Sequence, residues 1–563
     1  MANAEHLDSR KRPNLFGLHP RTPSALTLSA LAIACILMMP LFSLVWTVAT
    51  GTSDRWQAML DTVLPRYVAN TAFLAVTVGF GVIIVGTTTA WLVTMCRFPG
   101  RRVFEWALVI PLAVPAYVLA YAYTEFLSHP GPVQSLLRDM TGWGPRDYWF
   151  PRIRSPGGAA MMLTLVLYPY VYLLARASFL RQSHSAYETA RTLGRTPWGA
   201  FRGVALPMAR PAIAAGAALA IMETLADFGT VEHFAVQTFT TGIYRAWFSM
   251  GDRVAAAQLA SVLVGFVVLV ILLERLQRGK ARFETRDLAP IRPAFELRGW
   301  RGACAFLACF LPLVLGFLIP VTVLAELAIT GDYIFNWDRY RRFATNSFTL
   351  SVLGGVVAVT LAVLLAYARR LSRSPITLFA NQFASLGYAM PGSIVAVGIL
   401  IPFIAIDRLI ASGLNAAFGL SLGLIFTGTI AALIFAYAVR FLAVALNAVE
   451  TNLEKVSPSM DAAARTLGET QSGVLRRVHI PLIQSGLLTG FLIVFVDIMK
   501  ELPATIIMRP FNFDTLAIQA YRLAADERLS EAAIPSLALV AVGIIPVIII
   551  SRQISREVTG PRL

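Results

Sequence analysis

The sequence predicts an all-α integral membrane protein of about twelve transmembrane helices, arranged as two parallel six-helix repeats related by a pseudo-two-fold axis along the membrane normal. Three observations lead there. The 563 residues are 56% hydrophobic and only 14% charged, with a mean hydropathy of +0.65, far too apolar for an ordinary soluble enzyme. Stretches of about twenty mainly apolar residues, enough to cross about 30 Å of hydrocarbon, recur along the chain. Finally, the polar string "ETARTLGRTPWGAFRGVALP" at Glu188–Pro207 returns 274 positions later as "AAARTLGETQSGVLRRVHIP" at Ala462–Pro481.

The expected spans begin near Ser24, Thr71, Val103, Gly158, Val204 and Val254, and then near Ala303, Phe348, Ile376, Ala416, Pro481 and Ala532. The first follows Arg10, Lys11, Arg12 and Arg21; at about 27 residues and without a small-x-small cleavage site, it reads as a retained helix rather than a signal peptide. Every second loop is rich in arginine, for example Arg97, Arg101 and Arg102, then Arg275 to Arg301, then Arg369, Arg370 and Arg373. Basic loops stay inside, so both termini are expected in the cytoplasm and the chain in a bacterial inner membrane. The same loops account for most of the net charge of +16 without a nucleic-acid partner; lipid is the partner of the apolar surface. Cys35, Cys96, Cys304 and Cys309 lie in or beside apolar spans with no C-x-x-C pair that has further ligands, so neither disulfide nor zinc is indicated, and no metal is firmly assigned.

The duplication extends beyond the polar string. Asn70-Thr71 matches Asn346-Ser347 and Pro115 matches Pro391, both at an offset of 276, while Thr238–Trp247 aligns with Asn512–Tyr521 at 274. Residues 1–274 and 302–563 are therefore read as copies of one six-helix unit, and the Arg- and Pro-containing stretch 275–301 as a solvated cytoplasmic linker. An even helix number gives both copies one orientation. Prolines within spans, Pro111, Pro115, Pro169 and Pro391, are tolerated where neighbours or a cavity satisfy the freed backbone; they mark either kinks or a pathway.

In both polar strings a glycine (Gly194, Gly468) follows an alanine (Ala190, Ala464) by four residues and precedes a proline (Pro207, Pro481) by thirteen. Glycine permits a turn between two short helices, and proline suits the first turn of the following span. This spacing resembles the EAA loop of ABC-importer permeases. The resemblance implies a cytoplasmic coupling helix in each half (188–207 and 462–481) that docks on an ATPase subunit, hence two copies of that subunit. Glu188, Ala190, Gly194, Pro207, Asp461, Ala464, Gly468 and Pro481 are the docking residues it implies; Ala462 stands where the family has glutamate, with Asp461 one residue earlier. No G-x-x-x-x-G-K-[ST] occurs, so ATP and Mg are expected to belong to the partner, and this chain to bind no cofactor and be no enzyme.

Past each polar string, the fifth span of each half carries a pair of acids: Glu223 and Asp227, and 274 residues later Asp497 and Glu501. A spacing of four puts each pair on one helical face. Glu223 lies 16 residues beyond Pro207, roughly 24 Å along a helix, which places the pairs toward the outer side. Acids within spans are costly and mark a functional hypothesis, here a cation's route, since carboxylate oxygens suit hard cations. The bland alternative is structural, with Lys500 neutralising Asp497. Tyr168, Tyr170 and Tyr172 are expected to pack between helices rather than bind metal.

The phrases "DFGTVEHFAVQTFTTGIYRAW" (Asp227–Trp247) and "KELPATIIMRPFNFDTLAIQAY" (Lys500–Tyr521) are similar to those of fused ferric-iron import permeases, and the likeness runs over nearly the whole chain. It implies ferric iron as cargo, delivered by a periplasmic binding protein. Thiamine, a polyamine or another small solute carried by the same machine remains open, as does an ATP-independent secondary carrier.

Overall fold

The computed structural model describes residues 25–181, 189, 190, 192–278, 295–331, 333, 336–372, 374–419 and 423–559. Among these, ten helices are long and apolar enough to cross a membrane, and two bent helix pairs bring the count to twelve if each pair is one span. In chain order the twelve are 26–50 (bent by 50° between Leu37 and Met39), Leu64–Met95, 101–141 (bent by 91° between Ala113 and Ala116), Pro156–Leu180, Trp198–Ala226, Arg253–Gln277, Trp300–Thr330, Trp337–Ser372, Gly392–Phe418, Ile430–Leu453, Gln471–Met499 and Leu529–Ile549.

Two expectations about the spans change, and the in-span prolines mark a break. The third span is no straight rod: a 3-10 turn, Ile110–Ala113, runs into extended Val114 before helix restarts at Ala116. Its counterpart in the second half repeats the break, with the 3-10 turn Leu386–Ala389 and Pro391 ahead of Gly392; proline removes a donor and disfavours helix in the residue before it. The tenth span starts at Ile430, not near Ala416, because the ninth continues to Phe418 and stops at Gly419 in the left-handed region. Pro207 and Pro481 do not open fresh helices. Each lies inside a continuous helix that passes through a π-helical turn, Phe201–Ala205 or Leu475–His479, and such a widened turn accommodates proline's missing donor.

The repeat is visible in matching bonds. Asn70 Nδ2 donates to the Gln237 carbonyl at 2.8 Å, and Asn346 Nδ2 to the Asp514 carbonyl at 3.0 Å, each tying the head of a long helix to the loop before a short one. Packing, however, crosses between the copies. One core joins the second to fifth spans with Ala305, Cys309, Leu313 and Leu324 of the seventh span and Leu539 and Val540 of the twelfth. The other joins the eighth to eleventh spans with Ala30, Ala34 and Leu44 of the first and Leu259 and Leu263 of the sixth. Each sequence half thus lends its outer helices to the other half's core. Gly398 shows how close the exchange is: a Cβ there would stand 2.5 Å from the Pro40 carbonyl oxygen on the first span, the kind of contact small residues allow between membrane helices.

The end of the linker is not simply solvated. Phe295 and Glu296 pair in parallel with Cys96 and Arg97 just beyond the second span, and Leu297 N donates to the Arg97 carbonyl at 2.9 Å. Residues 279–294 lie outside the described part of the chain.

Candidate functional site

A cavity of about 130 Å³ lies between the two copies. The broken third span lines it with Leu112 and Val114 to Tyr117, the fourth with Leu163, Val166, Leu167 and Tyr170, and the second copy with Tyr388, Arg440 and Phe441. The remaining wall is the end of each fifth-type span and the residues after it, Glu223 and 226–229 in the first copy and Asp497 and 500–503 in the second. All four acids singled out in the sequence, Glu223, Asp227, Asp497 and Glu501, therefore face one space.

They do so in two different ways, because the helices end sooner than the i, i+4 reading assumed. The helix Leu206–Ala226 stops before Asp227, whose backbone is extended (φ −65°, ψ 134°), and Ile480–Met499 stops before Glu501. Neither pair shares a helical face. Asp227 instead turns onto the next short helix, Gly229–His233: Oδ1 accepts from Thr230 N and Val231 N at 3.1 Å each, and Oδ2 from Thr230 Oγ1 at 3.0 Å. Glu501 does the same for Pro503–Met508, accepting from Ala504 N at 2.8 Å, Thr505 N at 2.9 Å and the Thr505 hydroxyl, and it also pairs with Arg440 Nη1 at 2.7 Å. Unbonded N–H groups open every helix, and an acid placed there satisfies them. These two carboxylates are spent on the chain itself.

Glu223 and Asp497 remain. Asp497 Oδ1 lies 3.0 Å from Lys500 Nζ, the neutralisation that the structural alternative anticipated. Glu223 has no cation within 4.0 Å among the described residues; Tyr388, Arg440, Asp497 and Lys500 are its polar neighbours across the cavity. Of the three tyrosines, Tyr168 is fully buried and Tyr172 donates to the Glu105 carbonyl at 2.9 Å, as packing residues do, whereas Tyr170 lines the cavity. Sequence reasoning missed Arg440, Tyr388 and Tyr117. Arg440 was detectable, being an ionisable residue inside a span.

The polar strings form matching caps. Gly194 (φ +84°) and Gly468 (φ +85°) occupy the left-handed region. Arg195 N donates to the Ala190 carbonyl and Glu469 N to the Ala464 carbonyl, both at 3.1 Å: the six-to-one bond of a Schellman helix end. Ala190 and Ala464 are buried, while Leu193 and Leu467, at equivalent positions, are 79% and 85% exposed. Two leucines held out of the chain at the same place in both copies were not singled out in the sequence; the shared Thr-Leu-Gly was the signal. Glu188 lies outside the described residues.

Asp461 is held by bonds within the chain. Arg370 grips it with Nε at 3.0 Å and Nη2 at 3.2 Å, and His479 Nε2 lies 2.7 Å from Oδ1. Arg370 also donates to the Leu453 and Val456 carbonyls, so the carboxylate pins the helix Pro458–Thr466 to the ends of the eighth and tenth spans. Burial alone would push its carboxyl up, but the bonds from Arg370 and His479 outweigh this and hold it below the usual carboxylate range. A depressed pKa contributes stability that is complete above the ordinary value and is lost as pH falls through the depressed one. Asp461→Asn should therefore cost about 1.5–3 kcal/mol at neutral pH, read as thermal unfolding of the purified protein. The difference from the parent should shrink below about pH 4; a constant difference would show that charge is not what holds the loop.

Comparison with known proteins agrees with this architecture. Residues 79–282 match the family model described as binding-protein-dependent transport system inner membrane component. The chain is 26% identical over 538 residues to the Fe(3+)-transport system permease protein FbpB 2 of Haemophilus influenzae, covering 94% of this chain and 99% of that protein. It is 23% identical over 521 residues to the probable ABC transporter permease protein y4fN of Sinorhizobium fredii, covering 86% and 87%. The molybdenum transport system permease protein ModB of Escherichia coli is 26% identical over 240 residues, which is 41% of this chain and 98% of ModB. The domain match, the end-to-end likeness to a fused permease and the ten to twelve apolar helices make the chain similar to the binding-protein-dependent ABC-importer permeases, with the helices of a multi-pass membrane protein.

Proposed function

We propose that this permease translocates ferric iron, delivered by a periplasmic binding protein, into the cytoplasm, and that two copies of a cytoplasmic ATPase using ATP and Mg drive it. In this reading the halves 1–274 and 302–563, joined by 275–301, rock about the pseudo-two-fold axis. The single observation that carries the cargo assignment is the cavity's charge: four carboxylates face two cationic groups, Arg440 and Lys500. A surplus of carboxylate oxygen suits a hard cation and opposes a dianion such as the cargo that the name of ModB suggests. The cavity has room for a few waters or a partly hydrated ion. Iron outranks the thiamine and polyamine alternatives because the relative matched end to end is named for Fe(3+) transport; uptake of each solute by the same reconstituted complex separates them. The likeness to ABC permeases over nearly the whole chain favours this reading over an ATP-independent carrier.

The docking assignment rests on the duplicated caps and on Leu193 and Leu467. Ala190, Gly194, Ala464 and Gly468 shape the caps, Glu188 belongs to the first by resemblance, and Pro207 and Pro481 continue each into its span. Asp461 acts here by anchoring the second loop. Both loops and both termini are assigned to the cytoplasmic side by the basic-loop rule. In a variant lacking native cysteines, Thr141→Cys should react with an impermeant thiol reagent added outside intact spheroplasts, and Ser472→Cys should be protected. Labelling of position 472 but not 141 would invert the topology.

A further inference from the structure

The cavity's acids repeat between the halves, but its bases do not. Lys500 and Arg440 correspond, at the 274-residue offset, to Ala226 and Val166. The two ion pairs also differ in freedom. Arg440 and Glu501 have side chains 11% and 1% exposed, and Glu501 is tied to a helix start as well. Lys500 and Asp497 are 27% and 23% exposed and lie on the cavity wall, joined by one contact. A lysine ammonium is a compact charge on a flexible stem, able to swing where a forked guanidinium is held.

Taking the cavity as the cation's route, we propose that Lys500 is a tethered counter-ion: its ammonium neutralises Asp497 while the cavity is empty and is displaced by each passing cargo ion, which first meets Glu223. The displacement selects for charge. A multivalent hard cation gains contacts with both Glu223 and Asp497, enough to expel one ammonium. A monovalent ion replaces one unit charge by another and meets the repulsion of Arg440 and Lys500 besides, so the empty path resists leakage of alkali cations. The asymmetry gives the two repeats unequal tasks: the first offers a carboxylate with no resident cation among the described residues, and the second one that must be vacated.

The test is equilibrium binding of terbium(III), a hard trivalent probe whose luminescence tyrosines such as Tyr170 and Tyr388 can sensitise, to the purified permease with its ATPase subunits. Lys500→Met should tighten binding at least about tenfold, the scale of one lost charge contact in a partly screened site, and Lys500→Arg should stay near the parent. Adding Asp497→Asn to Lys500→Met should cancel the gain. Glu223→Gln should weaken binding at least about tenfold in either background. Lys500→Gln substitutes for the methionine variant should that fail to assemble. If Lys500→Met and Lys500→Gln bind as the parent or more weakly while Glu223→Gln is impaired, the counter-ion role is wrong and the route stands. If Glu223→Gln changes neither terbium binding nor iron uptake, the route itself is wrong.

Discussion

Glu223→Gln and Asp497→Asn should each lower ATP-driven iron uptake by about a hundredfold, the order expected when a multivalent cation loses one carboxylate in a partly screened site, with assembly intact. Asp227→Asn should retain most uptake. Asparagine caps a helix about as well as aspartate, so the bonds to Thr230 and Val231 survive the loss of charge. Glu501→Gln belongs to another class: it strands Arg440, which is 11% exposed, and breaking a buried pair from one side costs roughly 3–5 kcal/mol. It should appear first as lost thermal stability. Replacing all four acids at once would mix the two effects, so the single amides, each scored for uptake and for melting temperature, are the informative set. Equal loss of uptake in Asp227→Asn and Glu223→Gln would remove the division between capping and cargo carboxylates.

Leu193→Asp together with Leu467→Asp should detach the ATPase while the permease still inserts and melts like the parent. Both leucines are exposed, so neither contributes to this chain's core, and a charge at a docking knob opposes burial in any partner groove. The glycines beside them test the shape of the same loops. A Cβ at Gly194 or Gly468 meets nothing within 4 Å, so crowding is not the obstacle; the positive φ is. A β-branched residue there, as in Gly468→Val, costs about 1–3 kcal/mol, and Asp, better tolerated in that region, should be the milder change. ATPase co-purification reads both effects. Retention in the double leucine variant would sever the loops from docking.

Much of this architecture is legible in the residues. Apolar length reports spans, and the recurrence of Gly468 and Pro481 after Gly194 and Pro207 reports the repeat. The acids' recurrence is enough to bring four carboxylates to one cavity. What escapes is what depends on direction. A membrane helix apolar on every side does not show which face meets lipid, so the exchange of the first and sixth spans for the seventh and twelfth is invisible until Ala30, Ala34 and Leu263 are seen in the other copy's core. Spacing of four implies one face only while the helix lasts, and the helices end at Ala226 and Met499. The strings D-F-G-T and E-L-P-A-T carried that information as helix starts, an acid followed three or four residues later by a threonine whose N–H it accepts.

The central claim is tested most directly by ATP-dependent uptake of radioactive ferric iron into proteoliposomes that contain this permease and its ATPase, with the iron supplied on the binding protein. Uptake that needs ATP, the ATPase and the binding protein together, and that falls to background in Glu223→Gln, is the predicted result. Iron uptake independent of ATP, or a complex that moves molybdate or thiamine and no iron, would contradict it.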